Sequence, residues 1–201
     1  MNVKICGITT LEAAECAVKY GAKAIGFVFA ESKRKISPEK AREIIAQLPN
    51  DLLKVGVFVN EDKETIEEIV RISGINVIQL HGDETSEYAQ SFNLPVIKAF
   101  SISSKEDLES VKKDTSEYVL LDSPRGKYHG GNGISFDWRI LKNYNFNGKK
   151  VILAGGLNQD NVSDAIHLAN PYMLDVSSGV ETNGKKDLEK IEGFLQSAAK
   201  I

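Results

Sequence analysis

The feature that most limits what this chain can become is a regular alternation. Short, nearly continuous apolar runs recur eight times in 201 residues, separated by stretches of helical period. The runs fall at 3–6, 24–29, 53–59, 77–80, 95–100, 118–122, 150–154 and 173–176. Runs without strict polar alternation suit parallel strands buried on both faces. Between them apolar residues return at one helical face: Ala41, Ile44, Ile45 and Leu48; Val162, Ala165, Ile166 and Ala169; Leu188, Ile191, Leu195 and Ala198. Ser37-Pro38 reads as N-cap and first helical residue, Gly21 and Gly74 as stops, and Asn60 before Glu61, Asp62 and Glu64 as a cap with early acidic charge.

Strand–helix alternation builds parallel βαβ units, and eight units specify a closed α/β barrel, the (β/α)8 or TIM barrel. An open doubly wound sheet, which needs five or six strands, is the alternative. The thinnest evidence for helices lies at Glu84 to Phe92 and after the sixth run, where Phe136 to Leu141 is all that is available. Trp138 there reads as a packing anchor. No linker or low-complexity segment divides the chain, so residues 1–201 are expected to form a single catalytic domain.

Composition removes several function classes. Charged residues make up 26% and the net charge is −3, with no clustered basic stripe for nucleic acid. The most basic run, Ser32-Lys33-Arg34-Lys35, lacks interleaved aromatics and reads as a solvated loop or a local anion contact. No segment approaches the roughly 20 apolar residues of a membrane helix. The beginning, Met1-Asn2-Val3-Lys4-Ile5-Cys6, runs into a strand without a signal-peptide pattern, and two cysteines make no disulfide framework. A cytoplasmic location is the expectation, with a small phosphorylated molecule as partner, and neither nucleic acid nor membrane.

In a barrel, catalytic groups gather where strands end. That places Cys6 after the first run, Arg34 after the second, His81 after the fourth and Asp122 after the sixth. Gly155-Gly156 follows the seventh, and Asp175, Ser177, Ser178 and Gly179 follow or end the eighth. Two glycine-bearing loops after the last two strands suit phosphate held on backbone N–H groups, with a short helical turn after Ser177 adding its dipole; two ordinary turns are the alternative. Cys6 is either a buried hydrophobe or a pocket thiol, and a base must be a thiolate. Lys4 shares its side of the strand, where it either assists that thiol or pairs with Asp175. Cys16 is assigned to packing. Asp122 leaves an apolar strand, where burial favours the protonated acid; a capping or turn role is equally open. Arg34 offers a fork for a carboxylate or phosphate. His81 either orients substrate, hydrogen-bonds the glycine loop 123–133, or is structural. The loop 123–133, with Gly126, Gly130, Gly131 and Gly133, has the make-up of a lid or of a disordered segment. His129 and His167 do not converge with other ligand types, so no metal is expected.

Taken together these residues resemble the phosphoribosylanthranilate isomerases of tryptophan biosynthesis. The resemblance spans the chain through Lys4-Ile5-Cys6-Gly7-Ile8-Thr9, Gly26-Phe27-Val28-Phe29 with Ser32-Lys33-Arg34, Val55-Gly56-Val57-Phe58-Val59 and Gln79-Leu80-His81-Gly82. It continues through Leu121-Asp122, Gly130-Gly131-Asn132-Gly133, Phe136-Asp137-Trp138, Gly155-Gly156-Leu157 and Asp175-Val176-Ser177-Ser178-Gly179-Val180-Glu181. It implies an Amadori rearrangement without cofactor, in which Asp122 is the general acid and Cys6 the general base. Arg34 would hold the anthranilate carboxylate, the two glycine loops the phosphate, and His81 and Asp175 would contact substrate. The resemblance leaves open a monomer or a homodimer. Asn132 departs from the pattern, which has Thr or Ser there. A ribulose-phosphate epimerase lacks support without its metal-binding histidines, and the histidine-pathway isomerase uses paired aspartates where this chain has Cys6. A phosphate-binding barrel that has lost its chemistry is the non-enzyme alternative.

Overall fold

The computed structural model describes residues 1–124 and 136–201. Eight parallel strands follow one another around a closed barrel. They are β1 (Asn2–Cys6), β2 (Ala24–Val28), β3 (Leu53–Phe58), β4 (Val77–Leu80), β5 (Val96–Ser101), β6 (Tyr118–Asp122), β7 (Lys150–Leu153) and β8 (Met173–Val176). Closure is made by β8 on β1, where Asn2 pairs with Met173 and Lys4 with Asp175. The expected (β/α)8 barrel is the fold, and the open doubly wound sheet is excluded because no strand of the barrel is left as an edge.

The helices are α1 (Leu11–Lys19), α2 (Pro38–Ile45), α3 (Lys63–Ser73), α4 (Ser86–Gln90), α5 (Asp107–Lys113), α6 (Val162–Ala169) and α7 (Leu188–Ala199). Among the described residues of the connection after β6 stands a short 3-10 turn, Trp138–Leu141. Trp138 is buried in the outer core, as an anchor should be. Ser37 caps α2 through its hydroxyl with Pro38 in the first turn, and Gly21 and Gly74 stand where α1 and α3 end. Two local expectations are corrected. Asn60 does not cap α3: it adopts a left-handed backbone (φ 51°), and Asp62 accepts the capping bond from Thr65 N–H at 2.8 Å. Leu188 is exposed, so the α7 stripe begins at Ile191.

Strand alternation sorts side chains into two cores. Outward residues such as Ile5, Ile25, Phe27, Ile78, Leu121 and Leu174 meet the helices. Inward residues fill the barrel: Ala24, Val55, Val77, Ile97, Leu120, Ile152 and Met173. Register places Leu120 beside Ile152 and Ile152 beside Met173, so these three form one inner row across β6, β7 and β8. Toward the strand ends the inward positions turn polar: Lys4, Cys6, Gln79, Asp122 and Asp175, all nearly buried. A hairpin that sequence patterning gave no sign of, β9 (Glu181–Thr182) with β10 (Lys185–Lys186), follows β8 on the same end.

Candidate active site

A cavity of about 680 Å³ opens at the carboxyl end of the barrel, a size suited to a small metabolite. Cys6, Arg34, His81, Asp122, Gly155, Gly156, Asp175, Ser177 and Ser178 all line it. Nine of the ten residues expected at the site are thus brought together from β1, β2, β4, β6, β7, β8 and the loops after them. Gly179 stands behind the lining, and its lack of a side chain has a separate reason: a Cβ there would overlap the Leu157 carbonyl. It lets the β7 and β8 loops touch backbone to backbone. Gly155 (φ 84°) and Gly156 (φ 68°) take left-handed backbone that other residues adopt at a cost. A Cβ on Gly155 would also crowd Ser123 N and Asp122 Oδ1.

The two sides of the cavity differ chemically. On the β1–β8 side the Lys4 ammonium, fully buried, donates to Asp175 Oδ2 at 3.0 Å and to Gln79 Oε1 at 2.8 Å. Burial pulls the Lys4 pKa down, yet Asp175 and Cys6 more than offset it and hold the group charged above its usual value. Asp175 Oδ1 is buried with no hydrogen-bond partner among the described residues. A buried acceptor without a partner costs free energy. Burial pushes the Cys6 thiol up, opposed by the Lys4 and Lys186 charges, and the net direction is upward.

On the β4–β6 side, Asp122 is surrounded by donors. Ser123 N–H and Oγ–H donate to Oδ1 at 2.8 and 3.3 Å, and His81 Nε2 lies 3.2 Å from Oδ2. The turn role weighed for Asp122 is thus carried by one oxygen, while the other faces His81.

Arg34 is positioned by the unforeseen hairpin. Its Nε and Nη2 donate to Glu181 at 2.7 and 2.8 Å, which leaves the other guanidinium edge for a further anion. Lys186 Nζ donates to the same carboxylate at 2.6 Å and to the Ser177 carbonyl at 2.9 Å. Burial pushes Glu181 up, but Arg34 and Lys186 overcome it and keep its carboxyl below the usual range. The neighbours Lys33 and Lys35 border the same cavity but are exposed, and of the three basic residues in the run Arg34 is the one half-buried.

Gln79, Ser123, Glu181 and Lys186 had no role in the sequence reading. Gln79 was detectable as a polar residue at an inward position of an apolar strand. Nothing in the local pattern distinguishes Lys186 from other surface lysines. Cys16 packs at the edge of the outer core, and His167 bonds the Ser163 carbonyl on α6, away from the cavity. Among the described residues no three His, Cys, Asp or Glu side chains gather as metal ligands would. The glycine loop with Gly126, Gly130, Gly131, Asn132 and Gly133, and His129 with it, lies outside the described residues.

The family model for N-(5'-phosphoribosyl)anthranilate (PRA) isomerase matches residues 3–197. The chain belongs to this family. The Bacillus mycoides (strain KBAB4) N-(5'-phosphoribosyl)anthranilate isomerase is 53% identical over 199 residues, covering 98% of both chains. Among solved structures, the Thermotoga maritima phosphoribosyl anthranilate isomerase superposes with a TM-score of 0.92 at 42% identity, and each chain is covered fully. A phosphoribosyl anthranilate isomerase in complex with reduced 1-(o-carboxyphenylamino)-1-deoxyribulose 5-phosphate gives 0.89 at 41% identity, again with full coverage. Family membership and the barrel agree with the resemblance carried by the strand-end motifs, and the epimerase, the histidine-pathway enzyme and the silent barrel are set aside.

Proposed function

We propose that this chain converts N-(5-phosphoribosyl)anthranilate to 1-(o-carboxyphenylamino)-1-deoxyribulose 5-phosphate, the isomerisation its family performs in tryptophan biosynthesis. The observation that carries the reading is the pairing of an acid and a thiol, Asp122 and Cys6, on opposite sides of one cavity with different surroundings.

Asp122 gives a proton to the furanose ring oxygen. The C–O bond breaks, its electron pair stays on that oxygen, and the anthranilate nitrogen supplies the pair that forms the C1=N Schiff base. The carboxylate produced is met by the three donors from His81 and Ser123, already oriented for the charge it gains. Cys6, as thiolate, then takes the proton from C2. The C2 electrons flow to the iminium nitrogen, giving an enolamine that tautomerises to the ketone. The Schiff-base nitrogen is the electron sink, so no cofactor enters the reaction. Lys4 and Lys186 favour the thiolate against the burial that opposes it.

Binding follows the same division. The free edge of Arg34 takes the anthranilate carboxylate. Backbone N–H groups at Gly155, Gly156 and the Ser177–Gly179 turn take the phosphate. The Asp175 carboxylate and His81, both on the cavity wall, border the reacting sugar. All these groups come from one chain, so either a monomer or a homodimer is a complete enzyme. Residues 1–201 act as one catalytic domain, as one closed barrel supports. Among the described residues no helix is long and apolar enough to cross a membrane, and both described cysteines are free, which fits a cytoplasmic enzyme.

The test is turnover of N-(5-phosphoribosyl)anthranilate, generated in situ, by purified protein with and without EDTA. Metal-independent formation of the ketose phosphate is expected. A well-folded protein without turnover would overturn the reading.

A further inference from the structure

The two sides of the cavity are joined by an unbroken string of buried polar groups. Lys4 Nζ donates to Gln79 Oε1 at 2.8 Å, and the Gln79 amide nitrogen lies 2.9 Å from His81 Nδ1. His81 Nε2 then lies 3.2 Å from Asp122 Oδ2. Gln79 is 1% exposed, so water does not compete for its amide.

The direction of this string is fixed at its origin. An ammonium has hydrogens and no lone pair, so the group of Gln79 that faces Lys4 must be the oxygen. The NH2 of the same amide is thereby turned to His81 Nδ1, which must accept. A neutral imidazole carries one N–H, so its proton sits on Nε2 and points to Asp122. The reverse tautomer would set two N–H groups against each other at Nδ1 and, once Asp122 has given up its proton, two acceptors against each other at its carboxylate.

We propose that Gln79 is a positioning residue for the isomerisation: it holds His81 in the Nε2–H tautomer, so that a donor faces Asp122 as that carboxyl becomes negative. This rests on the reading of Asp122 as the general acid. Gln79 touches no reacting atom and acts through His81. Every donor between Lys4 and Asp122 points toward Asp122, so the string already carries the polarisation that proton release demands. The string also explains a glutamine inside an apolar strand: Leu or Met there would leave Lys4 with Asp175 as its one remaining partner and would take the donor from His81 Nδ1.

The test is nitrogen NMR on protein labelled with 15N-histidine. The chain has three histidines, His81, His129 and His167, and His81→Asn identifies the signals of the first. In wild type, His81 is expected to show a protonated Nε2 and an unprotonated Nδ1. In Gln79→Met a protonated Nδ1 population should appear, with kcat down about tenfold and KM changed by less than about twofold, the signature of one misdirected hydrogen bond. A wild-type His81 with its neutral-form proton on Nδ1 overturns the proposal, and that result needs no variant to fold. A folded Gln79→Met that keeps both the tautomer and kcat overturns it as well. If Asp122→Asn keeps full turnover, the acid role of Asp122 falls and the positioning role of Gln79 falls with it, whereas no turnover by folded wild type is what removes the isomerisation itself.

Discussion

The inside of this barrel has two ends built for different purposes. Its middle and amino end are filled by Ala24, Val55, Val77, Ile97, Leu120, Ile152 and Met173, with no polar atom to satisfy. Its carboxyl end carries Gln79, Asp122 and Asp175 at the next inward position of β4, β6 and β8, with Lys4 and Cys6 supplied by β1. Burying an ammonium and two carboxylates is a poor route to stability, because desolvation offsets much of the attraction. Apolar filling contributes without that penalty. The same strands therefore secure the fold at one end and sacrifice some stability at the other to hold charge where chemistry needs it.

This contrast breaks most sharply with Cys6→Ser and Asp122→Asn. Each variant keeps shape and volume, so the melting temperature should stay near wild type while kcat falls at least about a hundredfold, the loss expected of a general acid or base. Turnover of either variant near the wild-type rate would remove it from the mechanism. The reverse result is expected one layer down. Ile152→Ala should cost about 2–5 kcal/mol in a denaturant titration, as deletion of a buried Ile does, while kcat of the folded protein stays within about threefold. A large kcat loss there would erase the division between the two ends.

A smaller effect is expected at the rim. Arg34→Ala should raise KM about tenfold to a hundredfold with a lesser change in kcat, the scale of a lost charge-assisted contact. An unchanged KM would show that Arg34 serves Glu181 and not the substrate. Smallest is the thiol titration, read in a Cys16→Ser background. With the Cys6 pKa raised, the thiol persists to higher pH, so alkylation by iodoacetamide should climb only above the usual midpoint of about 8.5. Lys186→Met removes a charge that favours thiolate and should move that rise further up. A midpoint below the usual value in wild type would contradict the dominance of burial at Cys6.

The division between the two ends was partly legible before the structure. Parallel strands announced themselves because both faces are covered, and the strand-end rule put Cys6, His81, Asp122 and Asp175 at one mouth. The pairing of Lys4 with Asp175 was weighed from strand alternation alone, and the barrel closure that makes them neighbours is what realises it. What stayed hidden depends on contacts between segments far apart in sequence. Arg34 meets Glu181 across 147 positions, and the hairpin that brings Glu181 and Lys186 inward has strands of two residues each, too short to produce a periodic signal. Gln79 stood inside a quoted motif, yet its meaning lies in which way its amide points, which only the buried Lys4 ammonium decides. The Asn60 misreading came from the same source: several acceptors crowd the start of α3, and backbone conformation selects among them.

The central claim is that the polar end of the barrel moves protons, taking one from C2 of the sugar and leaving C1 to be reprotonated. The most direct measurement is wild-type turnover in 2H2O, with the position of deuterium in the product read by NMR. Proton abstraction by Cys6 followed by tautomerisation of the enolamine predicts one deuterium at C1. A product with only ordinary hydrogen at C1, the C2 hydrogen having moved there directly, would contradict the account.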